Sequence, residues 1–141
     1  MSLYSQRLAK LKTEIQEIKS RKSKKRFKKN QQIMINFING VTSNAQFRIK
    51  NQIIMLYLGD SKKGFKHIIE RHYCKNCDGE ITAMDILNLT DIIERGLKLA
   101  KEGVTNDNLI VYQKIDRGKN HKIVLKPVSN GNFIVTMYSI K

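Results

Sequence analysis

Apolar residues recur at Tyr4, Leu8, Leu11, Ile15 and Ile18, in steps of four and three. That spacing lays one apolar stripe along a helix, predicted from Leu3 to about Arg26, with Lys and Arg around the rest of its surface. The stripe needs a surface to lean on: the rest of the domain, a second copy, or a longer upstream protein. The patch Ile33-Met34-Ile35 with Phe37, Ile38 and Val41 has no clean period and is read as a short buried helix. From Asn44 the pattern becomes extended. "QFRIKN" alternates and "QIIMLYLG" is an apolar run of strand formers, with Asn51 as the only turn signal for a hairpin. "GDSKKG" is a loop, and Phe65 to about Tyr73 returns to helical spacing.

Thr82 can cap a further helix, with Asp85 as its acidic capping-box partner, and Ile86, Leu89, Ile93, Leu97 and Ala100 continue it to a stop at Gly103. The rest reads as a meander: "NLIVYQKI", a turn at "DRGKN", "HKIVLKP", a turn at "SNG", then "NFIVTMYSI". The expected class is α+β, N-terminal helices followed by a twisted antiparallel β-sheet. A basic helical extension is expected over residues 1–43 and a second unit over residues 44–141.

The charge narrows the class of partner. The 141 residues carry 27 Lys and Arg against 12 Asp and Glu, a net charge of +15. Residues 1–30 alone hold eleven Lys and Arg against two Glu, with the densest run at "KSRKSKKRFKKN". A surface this positive attracts polyanions, nucleic acid above all, although an acidic protein or an anionic membrane meets the same electrostatic demand. The basic run is either a solvated tail or an arm that follows phosphates without sequence choice. No apolar run reaches the ~18 residues of a membrane span. The N-terminus lacks a secretory h-region, and two cysteines three apart cannot staple a domain of this size, so a cytoplasmic setting is expected.

The candidate chemistry sits in "GFKHIIERHYCKNC", from Gly64 to Cys77. On a helix, Phe65, Ile68, Ile69 and His72 share one face, while His67 and Arg71, four apart, share another. His72 is therefore expected to pack with the core, and His67 to be the better chemical candidate. Imidazole moves protons near neutral pH, and a guanidinium stabilises charge gathering on a phosphate. That pair suits RNA cleavage, in which the nucleophilic 2′-hydroxyl already belongs to the substrate. On the last strand, Thr136 and Tyr138 stand two residues apart on one face and offer hydroxyls to a phosphate.

The pattern G-x-x-H-I-x-x-R-H, carried by Gly64, His67, Ile68, Arg71 and His72, is followed by a helix and a meander ending "NFIVTMYSIK". Over residues 45–141 the chain resembles the phage-associated branch of the ribonuclease superfamily that groups barnase, EndoU, colicin D and RelE. The resemblance implies a metal-independent endoribonuclease toxin without a cofactor, RNA (tRNA in toxin relatives) as substrate, and an acidic immunity protein as partner. It also implies delivery as part of a larger protein. His67, Arg71, Thr136 and Tyr138 become the catalytic candidates. His72 joins them as a substrate contact, and the residues themselves offer Lys63 and Lys66 beside His67, and Arg117 and Lys119 at the "DRGKN" turn, as further substrate contacts or as solvated loop charge.

Two other readings stay open. The chain could be a non-catalytic nucleic-acid-binding module, or a phage or host protein-interaction domain whose basic helix docks on an acidic surface. Cys74 and Cys77 with His67 and His72 nominally supply four zinc ligands. The histidines lie roughly 140° apart around a helix, however, so no metal site is expected. Two free thiols are favoured, with a labile disulfide across C-x-x-C as the further option.

Overall fold

The computed structural model describes residues 2–21, 26–99, 109–116 and 118–140. Among the described residues five helices, α1 (Leu3–Arg21), α2 (Lys29–Ile38), α3 (Phe65–His72), α4 (Ala83–Leu87) and α5 (Leu89–Arg95), accompany six strands. The strands are β1 (Asn44–Ile49), β2 (Gln52–Tyr57), β3 (Leu97–Leu99), β4 (Ile110–Asp116), β5 (Lys119–Val128) and β6 (Gly131–Ile140). They form one sheet in the order β1-β2-β6-β5-β4-β3. The fold is α+β, as the hydrophobic pattern predicts. The sheet is mixed, because β2 and β6 pair in parallel while the other neighbours pair antiparallel.

The stripe on α1 leans on the domain itself. Leu11 is fully buried and Ile15 nearly so, in one core with Met34, Phe37, Phe47, Ile54 and Ile69. The Arg7 guanidinium donates to the carbonyls of Ile69 and Glu70, which are among the last carbonyls of α3. The Tyr73 hydroxyl donates to the Glu14 carboxylate, and burial together with that carboxylate raises the phenol well above its ordinary pKa. Helix α1 thus grips α3 from behind at two places. The expected end of α1 near Arg26 falls beyond Arg21, and residues 22–25 lie outside the described residues.

The β1–β2 hairpin forms on a two-residue turn, Lys50-Asn51, whose φ angles of 50° and 65° suit the right-handed twist of its strands. Thr82 caps α4 as expected: its side chain accepts from Asp85 N, and Asp85 Oδ2 accepts from Thr82 N at 2.9 Å. The long helix expected after it is not continuous. It breaks at Asn88 and ends at Arg95, and Leu97–Leu99 form a strand against β4. The apolar spacing through Leu97 hides this break. At Gly96 the backbone is extended and passes so close to β4 that an added Cβ would lie 2.4 Å from the Gln113 carbonyl. The chain can join the sheet there only without a side chain. The expected stop at Gly103 lies outside the described residues.

In β6, Val124 pairs with Thr136 and Leu125 with Ile134, leaving Val135 as a bulge. The unbroken alternation expected for this strand is therefore interrupted. Ile134 and, past the bulge, Met137 and Ser139 are buried. Thr136 and Tyr138 face the opposite side, still together as predicted.

Candidate active site

Where β6 runs past the end of its pairing with β2, α3 and the loop after it take the vacated place. Gly64 N donates to Val135 O at 2.8 Å, and Ser139 N donates to Gly79 O at 3.2 Å. These two bonds bring the histidine helix to the strand that carries Thr136 and Tyr138.

The sequence places His67 and His72 on different faces, with His72 toward the core. The structure corrects this. Their rings meet edge to face with centroids 5.4 Å apart, and the His72 ring tilts over Tyr138 at 5.7 Å. His72 is the last helical residue, and its side chain leans back toward the preceding turn. The loop then fixes it: His72 Nδ1 lies 3.1 Å from Asp78 O, and His67 Nδ1 lies 3.0 Å from Ser61 O. A carbonyl only accepts, so each Nδ1 carries a hydrogen and each Nε2 is left for a substrate. Burial, then the neighbouring charges of His67 and Arg71, push His72 below the ordinary imidazole pKa of 6.5, although its bond to Asp78 opposes the shift. His72 is thus held neutral at neutral pH.

Gly79 secures the arrangement. Its φ is +73°, and an added Cβ would sit 2.6 Å from His72 Nδ1 and 3.0 Å from the Tyr138 Cβ. Thr136 contributes a hydroxyl whose oxygen is buried without a hydrogen-bond partner. Arg71 is exposed on the same helix. His67, His72, Arg71, Thr136 and Tyr138 therefore belong to one region. Lys63 lines a groove with Tyr57, Phe133 and Val135. Lys66 is half-buried on α3, and its backbone N–H donates to Leu58 O. Lys119 lines a cavity of 340 Å³ with Asp78, Gly79 and Ser139, along the loop that holds His72. Arg117 lies outside the described residues.

Cys74 and Cys77 are joined in a disulfide, not free as the spacing alone favours. The bond closes the first part of the loop that presents Asp78 and Gly79. Among the described residues, no three His, Cys, Asp or Glu side chains gather to hold a metal ion. His121, on the buried face of β5 with Ile123 and Leu125, has its Nε2 3.3 Å from Asp85 Oδ1, within ion-pair reach but not aligned as a hydrogen bond. Burial raises the Asp85 carboxyl, but His121 and the Thr82 N–H outweigh it and hold the group below its ordinary value.

Sequence reasoning missed the carbonyls of Ser61 and Asp78, which carry no side-chain signal. It also missed Gly79, whose position beside the C-x-x-C pair was the one available cue. No protein-family model matches the chain, and no curated protein matches it. Among the described residues, no helix is long and apolar enough to cross a membrane.

Proposed function

We propose that the chain is an endoribonuclease that cleaves RNA by internal attack of a 2′-hydroxyl, with no step assigned to a metal. The observation that carries this reading is the pair of touching imidazoles with both Nδ1 atoms occupied by carbonyls. In this mechanism the neutral Nε2 of His72 takes the 2′-hydroxyl proton, and the 2′-oxygen bonds to phosphorus. The bond from phosphorus to the 5′-oxygen breaks, and His67 donates a proton to that oxygen. Each proton transfer of this kind contributes roughly 10²–10⁴ in rate. Arg71 and the unpartnered Thr136 hydroxyl meet the charge that builds on the phosphoryl oxygens, and Tyr138 backs the His72 ring. The products are a 2′,3′-cyclic phosphate and a 5′-hydroxyl.

The net charge of +15 favours a polyanionic substrate, and RNA such as tRNA is one. It equally favours an acidic immunity protein that covers the site in a producing cell. A toxin that acts in a bacterial cytoplasm, carried there within a larger protein, fits both. The test is incubation of total RNA with the purified chain, followed by end-group analysis of the fragments. Cyclic phosphate ends that disappear in His67→Ala and His72→Ala would support the proposal. Intact tRNA, rRNA and mRNA, or undiminished cleavage by His67→Ala, would overturn it. Salt-sensitive RNA binding without any product would make the chain a binding module instead.

A further inference from the structure

Val135, the bulged residue beside Thr136, also lines a groove of about 330 Å³ on the sheet face shared by Thr136 and Tyr138. Its size falls at the lower end of small-molecule sites, which run roughly 300–1,000 Å³. The groove holds two aromatic rings, Tyr57 and Phe133, packed edge to face with centroids 5.2 Å apart. Tyr57 is 42% exposed, so part of its ring is open to a ligand. Lys63 and Lys126 stand at the same groove. Lys126 pairs with Phe133 across β5 and β6, so the cation and the ring share one face. Lys63 is held in a tight loop, where Asp60 N donates to its carbonyl and the Asp60 carboxylate accepts from its N–H.

We infer that this groove seats one unstacked nucleobase of a single-stranded RNA against Tyr57 and Phe133, with the flanking phosphates on Lys63 and Lys126. The choice of RNA rests on the ribonuclease reading of the neighbouring histidines. The groove itself supplies what base binding needs, π-faces between cations. Val135, at its wall, adjoins Thr136 in the strand, so the seated base is assigned to a nucleotide near the cleaved bond. A base held in a duplex cannot enter, which makes the site selective for loops and single strands.

The test uses a labelled 2′-O-methyl RNA octamer, which cannot be cleaved, with binding followed by fluorescence anisotropy. Tyr57→Leu and Phe133→Leu keep apolar volume but remove the π-face. Each is expected to weaken binding about tenfold to hundredfold. Lys126→Gln is expected to flatten the log–log salt dependence by about 0.7. An abasic site walked along the octamer should cost affinity at one position, and Tyr57→Leu should no longer sense it. Thermal melts of each variant show whether the fold is kept. Unchanged affinity in folded Tyr57→Leu, a flat abasic scan, or equal binding of duplex and single strand would overturn the inference. Binding through the groove without RNA cleavage would remove the nuclease reading and leave the subsite standing. Cleavage with unchanged KM in Tyr57→Leu would do the reverse.

Discussion

Replacing Gly79 with alanine separates the seat of His72 from the stability of the fold. At φ +73° an alanine costs about 1–2 kcal/mol over glycine. The new Cβ would lie 2.6 Å from His72 Nδ1 and 3.0 Å from the Tyr138 Cβ. Of these neighbours the imidazole is free to swing, whereas Tyr138 Cβ is fixed to a paired strand. The ring therefore moves, and its bond to Asp78 O is lost, at a further cost of about 0.5–1.5 kcal/mol. The total of roughly 1.5–3.5 kcal/mol lowers Tm by roughly 5–14 °C, at about 3–4 °C per kcal/mol for a domain of this size. Activity falls much further, by about 10²–10⁴, because the proton acceptor is displaced. Gly40→Ala is the control: its φ is +78° with nothing within 4 Å of the new Cβ, so it carries the backbone cost alone. The measurements are a thermal melt, kcat/KM on RNA and an NMR titration of the His72 ring. In Gly79→Ala that titration should move up toward 6.5 as the ring leaves its half-buried seat. Full activity with an unmoved His72 resonance would refute the reasoning, as would an equal loss of activity in Gly40→Ala.

Three further outcomes follow from the same contacts. Arg7→Met strips the donors from the Ile69 and Glu70 carbonyls and should destabilise the fold by about 1–3 kcal/mol in urea, with the m-value unchanged. Leu11→Ala, at a position with 0% exposure, should cost about 2–5 kcal/mol by the same assay, and a loss below 1 kcal/mol would mean that α1 is not truly docked. The pH dependence has a definite sign: His72 is held below 6.5, so the unfolded chain binds its proton first, and its share of stability is present above 6.5 and lost as pH falls below that value. The acid limb of kcat/KM should accordingly bend below 6.5, and a bend above it would contradict the burial of that ring.

Much of the fold is legible because its signals are local. The stripe from Tyr4 to Ile18, the capping box at Thr82 and Asp85, and the three C-terminal strands each report themselves within a dozen residues. The parallel pairing of β2 with β6 is not, since it joins Ile54 to Asn132 and no neighbouring residue encodes it. The break after Arg95 is masked because Leu97 keeps helical spacing while the close approach at Gly96 comes from a distant strand. The site divides the same way. His67, Arg71, Thr136 and Tyr138 are visible as residue types at telling intervals. His72 is misdirected by helical geometry alone, because a carbonyl six residues later turns its ring.

The bulge at Val135 lets ten consecutive residues serve two surfaces with opposite parity at their two ends. Substitution can retune either surface one side chain at a time. A change in length is different: removing one codon within the bulge would restore plain alternation with Met137 still inward and Tyr138 still outward, whereas removing one from the paired run on either side would turn every residue beyond it to the opposite face. Drift in the length of this strand is therefore confined to the bulge.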